Sequence, residues 1–180
     1  MMVGEIRDEE TAGIAVQASN TGHLVFSTLH TNDSAGAVTR MIDLGVEPYL
    51  VSSSLIGVVA QRLVRVICSR CKESYAPADG ELDGLGLGRD ELLEGMLYRG
   101  RGCDECLGRG YYDRTAIYEI LTINETIRDQ IIARTSASVI KQVAVETGHL
   151  KTLRMDGACK VAQGITTMEE VFRVTQMDVF

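Results

Sequence analysis

Basic and aromatic residues are both scarce in this chain of 180 residues. It has 18 Lys and Arg against 25 Asp and Glu, which gives a net charge of −7, and aromatic residues make up 5% of the total. Proteins that bind nucleic acids need a basic surface, and those that bind single strands add aromatic side chains on which bases stack. The composition therefore argues against nucleic acid as a partner.

Long apolar runs are also missing. No stretch reaches the length of a membrane span, and the first residues lack the basic stretch and the apolar core of a signal peptide. Only 5 cysteines occur, and 4 of them form two Cys-x-x-Cys pairs, which fits metal binding in a reducing compartment better than disulfides. We expect a cytoplasmic protein of one ordinary domain or two small pieces.

The two Cys-x-x-Cys pairs are the most specific local feature of the chain. They are Cys68 with Cys71 and Cys103 with Cys106. Four thiolates at this spacing can close a tetrahedral site around one metal ion, most often zinc, and glycines after the second pair let backbone N–H groups point at sulfur. Because four thiolates leave no open position for water, the pattern predicts structural zinc. A redox role for each pair would need a βαβ context that is absent here.

Alternating strand and helix patterns organise the first third of the chain. Residues 2–5 are typical of the end of a buried strand, residues 22–30 of an apolar strand buried on both faces, and residues 9–18 and 31–44 of helices. Strand, helix, strand, helix is the order found in parallel α/β sheets. We therefore predict an α/β fold.

The rest of the chain has a different pattern. Residues 49–61 indicate a buried helix, and residues 63–67 and 115–121 indicate two strands on either side of the cysteine-containing stretch. We expect these strands to pair with each other, with the metal module as their long connection. From residue 124 onward, apolar side chains recur at helical spacing, which predicts a small helical bundle at the C-terminus.

An acidic residue at the end of the first strand is a candidate for chemistry. Glu5 is placed like a carboxylate that binds the Mg²⁺ shell or orients the attacking water in phosphoryl transfer. The alternative is an acidic helix cap at a strand end. Arg7 could stabilise the turn or reach a neighbouring subunit, and Arg62 could reach phosphate or an interface, although such residues are more often surface charges with packed stems.

Polar residues cluster on and around the second predicted strand. His23, Thr28 and His30 lie within a few positions of one another. A strand beside a nucleotide site often ends in a polar side chain that contacts the γ-phosphate or the water, and Thr28 and His30 are placed for that task. The alternative is that both histidines are satisfied by backbone carbonyls at strand ends.

These motifs together resemble the secretion and pilus-assembly ATPase superfamily, the type II secretion ATPases in particular. Residues 3–8 resemble its Walker B segment, and residues 21–32 resemble its His box. The two cysteine pairs, followed by residues 114–121, resemble its tetracysteine insertion and the next strand, and residues 164–171 are similar to its end. Pilus-retraction ATPases generally lack the cysteine module, so the resemblance favours secretion or pilus extension.

The resemblance implies a function and a fold. In that superfamily a RecA-like core binds ATP and Mg²⁺ between the subunits of a hexameric ring, and hydrolysis drives an inner-membrane platform that assembles a pilin or pseudopilin fibre. Glu5 would be the catalytic carboxylate, and His23 and His30 would sense the nucleotide state. The zinc module would contact a partner or a neighbouring subunit, and the protein would be cytoplasmic and peripheral to the inner membrane.

One motif of the superfamily is not found in the chain. No Gly-x-x-x-x-Gly-Lys-Ser/Thr sequence occurs, so the loop and lysine that hold the β- and γ-phosphates are missing. We expect the C-terminal portion of a motor that does not hydrolyse ATP alone. The alternative is a non-catalytic, zinc-stabilised interaction module that docks to a membrane secretion platform.

The expected architecture is a partial RecA-like core with a tetracysteine zinc insertion and a C-terminal helical bundle. The expected divisions are residues 1–67 for the core with Walker B and His box, 68–106 for the zinc module, 107–123 for the returning strand, and 124–180 for the helical subdomain.

Overall fold

The computed structural model describes residues 1–178. The helices are α1 (Glu9–Asn20), α2 (Ser34–Asp43), α3 (Pro48–Ser54), α4 (Glu125–Ile132), α5 (Ala137–Glu146), α6 (Leu153–Ala162) and α7 (Met168–Val174). The strands are β1 (Gly57–Ile67), β2 (Lys72–Tyr75), β3 (Leu97–Gly100) and β4 (Tyr111–Thr122). Short 3-10 helices cover Asp83–Leu85, Arg89–Glu91 and Leu93–Gly95.

Side-chain caps explain where most helices begin. A side-chain oxygen directly before the helix accepts a bond from a backbone N–H of the first turn in every α-helix except α3, which starts with proline instead. The capping residues are Asp8, Asp33, Asn124, Ser136, Thr152 and Thr167.

The chain forms two compact units, and each is built from two separate stretches. Among the described residues, the first combines residues 1–60 with residues 119–151, and the second combines residues 61–118 with residues 152–178. The predicted C-terminal helical bundle is not confirmed, because α4 and α5 belong to the first unit whereas α6 and α7 belong to the second. The four divisions of the chain expected from the sequence stay a prediction.

The first unit is a set of helices around an apolar core. α3 packs on α1 and α4, and α2 packs on α5. The core is formed by side chains from all five helices, including Ala12, Val38, Val51, Ile131 and Ile140. Burial of these aliphatic side chains is the main term that stabilises such a unit.

The predicted RecA-like parallel sheet is not confirmed. Parallel pairing among residues 1–178 is limited to one bridge, Met2 with Phe26, extended by bonds from Val3 N to the Phe26 carbonyl and from Ile6 N to the Thr28 carbonyl. Residues 22–30 are extended rather than a regular strand, and they are not buried on both faces. Val25 packs on the core, whereas Phe26 is 59% exposed, because only one neighbouring segment pairs with this stretch.

The two regular sheets are antiparallel pairs. β2 pairs with β3 in the second unit, with Lys72 opposite Gly100. β1 pairs with β4, and bonds at its two ends run from Ile123 N to the Ile56 carbonyl and from Cys68 N to the Gly110 carbonyl. The expected pairing of the two strands that flank the metal module is therefore confirmed.

The predicted helix over residues 49–61 is wrong in its second half. α3 ends at Ser54, and Leu55 is already extended. β1 begins at Gly57, and residues that are exposed alternate with residues that are half-buried along its first part. The β-branched residues Val58 and Val59 favour a strand at this point. Their β propensity outweighed the apolar run from which the helix was predicted.

Candidate functional site

The four knuckle cysteines converge on one point in the second unit. Their Sγ atoms all lie within 4.8 Å of one another. The separations are 3.9 Å for Cys68 with Cys103, 3.9 Å for Cys71 with Cys106, and 3.8 Å for Cys103 with Cys106. A tetrahedral zinc site with Zn–S bonds of about 2.3 Å places its sulfur atoms about 3.8 Å apart. The donor set therefore fits one tetrahedral metal ion, and three of the four cysteines are buried.

Backbone N–H groups of two glycines point at the sulfur atoms: Gly110, after the second pair, as expected from the sequence, and Gly102, directly before that pair, which was not foreseen. Gly102 N donates to Cys71 Sγ at 3.2 Å, and Gly110 N donates to Cys106 Sγ at 3.2 Å. Gly102 and Gly110 both have positive φ, a conformation that glycine adopts without strain. These bonds compensate part of the charge that thiolates bring into a buried site.

Two of the thiols differ in how readily they lose a proton. Burial raises the pKa of the Cys71 thiol to about 11. Burial also acts on Cys106, but bonds from the backbone N–H groups of Cys103 and Gly110 outweigh it and lower the pKa of that thiol to about 6. Of these two, Cys106 ionises first, and a bound dication would have to displace the proton of Cys71.

The position of Cys68 depends on a close approach of two glycines. Gly100 ends β3, and a Cβ atom at this residue would lie 1.9 Å from the Gly110 carbonyl oxygen. Cys68 N donates to that same carbonyl. The backbone contact between Gly100 and Gly110 therefore brings the two cysteine pairs together.

A second cluster lies in the first unit, where Glu5 contacts two of the predicted site residues. Arg7 Nη2 lies 2.6 Å from Glu5 Oε2, and His30 Nε2 lies 2.6 Å from Glu5 Oε1. The hydrogen bond from Arg7 is the main cause of a lowered pKa of the Glu5 carboxyl, and the nearby His30 lowers it further. Glu5 is therefore held as a carboxylate, and its side chain is 22% exposed.

The other predicted residues of this segment have local partners. Thr28 Oγ1 donates to the Gly4 carbonyl at 2.8 Å, which ties the end of one extended segment to the residue before Glu5. His23 Nδ1 lies 3.2 Å from the Ala18 carbonyl and 3.3 Å from Thr21 Oγ1, at the end of α1. His23 is thus satisfied by a backbone carbonyl, as the alternative interpretation expected for both histidines, whereas His30 contacts the carboxylate of Glu5.

Arg62 lies in β1, in the second unit, and its Nη1 donates to the Gln61 carbonyl at 3.0 Å. Its predicted role toward phosphate or an interface stays a prediction.

Two buried carboxylates were not singled out from the sequence. Glu119, fully buried in the first unit, accepts bonds from Ser34 N at 2.8 Å and Ser34 Oγ at 2.6 Å. Glu170, 1% exposed in the second unit, binds Arg65 and Arg173. Glu119 lies in the alternating pattern of β4, and that alternation could have indicated that its side chain points inward. Glu170 lies in the first turn of α7, where acidic residues are common, so its position gave no signal.

Comparison with known proteins identifies the family of the chain. The profile of the family described as Type II/IV secretion system protein matches residues 1–173. A type IV pilus assembly ATPase PilB from Thermus thermophilus is 52% identical over 175 residues, which are 97% of this chain and 20% of that protein. A type II secretion system protein E from Pseudomonas aeruginosa is 51% identical over 176 residues, 98% of this chain and 34% of that protein.

Solved structures show the same fold. The ATPase DotB of Yersinia pseudotuberculosis has a TM-score of 0.65 at 21% identity, over 98% of this chain and 36% of that one. The pilus retraction motor PilT with bound ADP has a TM-score of 0.64 at 25% identity, over 97% of this chain and 38% of that one. The chain spans about a third or less of the length of the pilus assembly and type II secretion relatives that it matches. With a profile match over nearly its whole length and relatives above 50% identity, the chain belongs to the type II/IV secretion system protein family, with the type II secretion protein E and PilB ATPases.

Proposed function

We propose that the chain is the C-terminal portion of a motor that couples ATP hydrolysis to the assembly of a pilus or pseudopilus and to protein secretion. The observation that carries the proposal is the contact between Glu5 and His30, 2.6 Å apart, in the two segments that match the family's Walker B segment and His box. A carboxylate held in its charged form beside an imidazole suits the orientation of an attacking water.

Within this proposal each residue has a task. Glu5 orients or activates water, and His30 senses the state of the nucleotide through its contact with Glu5. Thr28 fixes the segment by its bond to the Gly4 carbonyl, and His23 anchors the other end of that segment to α1. Arg7 keeps Glu5 ionised, because its guanidinium donates to the carboxylate. Arg62 serves an interface or a phosphate.

The assembly around this chain is also a proposal. The motor would be a cytoplasmic ring of six subunits that binds ATP and Mg²⁺ and works at an inner-membrane secretion platform. None of the helices within residues 1–178 is long and apolar enough to cross a membrane. The tetracysteine site would hold a structural zinc ion that fixes the module between β1 and β4.

The alternative, a zinc-stabilised interaction module without catalysis, is less favoured. It accounts for the cysteines, but it leaves the close contact of Glu5 with Arg7 and His30 without a purpose. Two relatives that match the chain are named as ATPases, one for pilus assembly in Thermus thermophilus and one for type II secretion in Vibrio cholerae.

The decisive test is a chimera in which this chain replaces the matching segment of the Thermus thermophilus pilus assembly ATPase. We expect Mg²⁺-dependent ATP hydrolysis by the chimera and none by the 180 residues alone, because a phosphate-binding loop is not among them. Glu5→Gln in the chimera should lower the rate about 10²–10⁴-fold, and His30→Ala should lower it as well.

The matched control is Glu10→Gln, which removes the same charge from an exposed position in the first turn of α1. It should leave the rate unchanged. An active chimera in which Glu5→Gln and Glu10→Gln behave alike would overturn the assigned role of Glu5. Hydrolysis by the 180 residues alone would overturn the expectation that they lack a phosphate site.

A further inference from the structure

Three arginines line one concavity in the second unit. The cavity has a volume of about 440 Å³ and is lined by Leu63 and Arg65 of β1, Arg114 of β4 and Arg173 of α7. It is separate from the cysteine cluster, and none of its residues has a role in the hydrolysis proposed above. Three guanidinium groups at one concave surface are unusual, because like charges repel unless something compensates them.

The buried Glu170 holds two of these arginines in place. Arg65 Nη2 donates to Glu170 Oε1 at 2.6 Å, and Arg173 donates through Nε at 2.9 Å and through Nη2 at 2.8 Å. The guanidinium of Arg65 also lies 4.1 Å from the centre of the Tyr111 ring. Both side chains are therefore fixed before any ligand arrives, which lowers the entropy lost on binding.

The charges of the cavity do not balance. The single carboxylate of Glu170 pairs with Arg65 and Arg173, and Arg114 forms no ion pair within residues 1–178. Arg65 Nε is buried and has no hydrogen-bond partner within the described chain. The site thus retains positive charge and unused N–H donors after Glu170 has been satisfied.

We propose that this concavity binds a phosphate-type oxyanion. Planar guanidinium groups donate paired hydrogen bonds that match the oxygen atoms of phosphate. A rigid set of such groups therefore binds phosphate in preference to an anion that offers a single acceptor atom. The arginines are 42% exposed at Arg65 and 56% exposed at Arg173, so an anion can reach them from solvent. The phosphate could belong to a small free anion or to the headgroup of an anionic phospholipid, since both present the same oxygens.

Calorimetric titration of the purified chain with inorganic phosphate and with pyrophosphate tests the proposal. We expect saturable binding, tighter for pyrophosphate. Arg114→Ala should weaken it about tenfold, because it removes charge-assisted bonds without touching Glu170. The affinity of Arg114→Lys should lie between those of the unaltered chain and Arg114→Ala, because lysine keeps the positive charge but lacks the paired N–H donors of the guanidinium group. The matched control, Arg128→Ala at a half-buried position of α4, removes the same charge in the first unit and should bind like the unaltered chain.

Sedimentation with phosphatidylglycerol vesicles, against phosphatidylcholine vesicles, separates the two sources. Binding of free phosphate without sedimentation assigns the site to a small anion. The site is assigned to a lipid headgroup if the chain sediments with phosphatidylglycerol vesicles, Arg114→Ala abolishes that sedimentation and Arg128→Ala preserves it. The proposal would be overturned if the chain showed no saturable phosphate binding and no such sedimentation. It would also be overturned if Arg114→Ala and Arg128→Ala behaved alike. None of these measurements depends on ATP hydrolysis.

Discussion

At the scale of single residues, two buried carboxylates fix segments that are far apart in the sequence. Glu119 joins β4 to the first residue of α2, and Lys141 Nζ of α5 lies 3.8 Å from its second oxygen. Glu170 joins α7 to β1 through Arg65. A buried charge is tolerated only when it is paired and hydrogen-bonded, so each carboxylate specifies one arrangement of its neighbours.

Glu170 makes the stability of the chain depend on pH. Burial opposes its ionisation, but bonds from Arg173 and Arg65 prevail and lower its pKa from 4.5 to about 2. Because the folded state depresses this pKa, the stabilisation is complete above pH 4.5 and is lost as the pH falls toward 2. We expect Glu170→Gln to cost about 2 kcal/mol at neutral pH.

Urea unfolding of both proteins from neutral pH to about pH 3 measures this dependence. The difference between their free energies of unfolding should shrink below pH 4.5, and acid release of metal cancels in the difference. A constant difference over the whole range would show that Glu170 is not the titrating group.

The contact between Gly100 and Gly110 leaves no room for a side chain. Gly100→Ala would place a Cβ atom 1.9 Å from the Gly110 carbonyl oxygen, so the strands must separate next to Cys68. We expect a loss of about 1–3 kcal/mol in the free energy of unfolding. The control is Gly13→Ala in α1, where nothing lies within 4 Å of the new Cβ atom. That change should stabilise the chain by up to about 1 kcal/mol in the same thermal or urea experiment; equal effects of the two substitutions would contradict the packing argument.

At the scale of elements, we expect a metal ion in the cysteine cluster to stabilise the segment between β1 and β4. Cys68→Ser with Cys103→Ser should abolish zinc binding and unfold the module, because two oxygen-bearing side chains replace half of the thiolate ligands. Elemental analysis and limited proteolysis of the module report the two effects. Cys159→Ser, outside the cluster, should keep the metal. Unchanged metal content and proteolysis in the double variant would refute the zinc site.

The elements that the sequence predicted well are those with local signals. The cysteine spacing located the metal site, and β-branched runs located the paired strands β1 and β4, because each signal depends on neighbours along the chain. The buried role of Glu170 depends on Arg65, which lies 105 residues away, and no local pattern encodes that. The parallel sheet was predicted from two apolar segments, but one parallel bridge is what these segments form.

At the scale of the whole molecule, the acidic charge predicts behaviour toward nucleic acids. With a net charge of −7, we expect no binding to double- or single-stranded DNA at about 0.15 M salt. The arginine concavity does not alter this, because three side chains neutralise few phosphates. Gel-shift titration at two salt concentrations checks the expectation. Salt-sensitive binding would contradict the expectation drawn from the composition.

The discontinuity of the two units affects how the chain folds during synthesis. The first unit needs residues 119–151, and the second needs residues 152–178. A nascent chain that has emerged only as far as β4 has therefore completed neither unit, and the bonds of Ser34 to Glu119 must wait for 85 further residues. Such sequence-distant contacts slow folding and lengthen the time for which apolar surface is exposed. The proposed metal capture by the cysteine module can precede both, because that module needs only the four cysteines and Gly110, all of which leave the ribosome before β4 is complete.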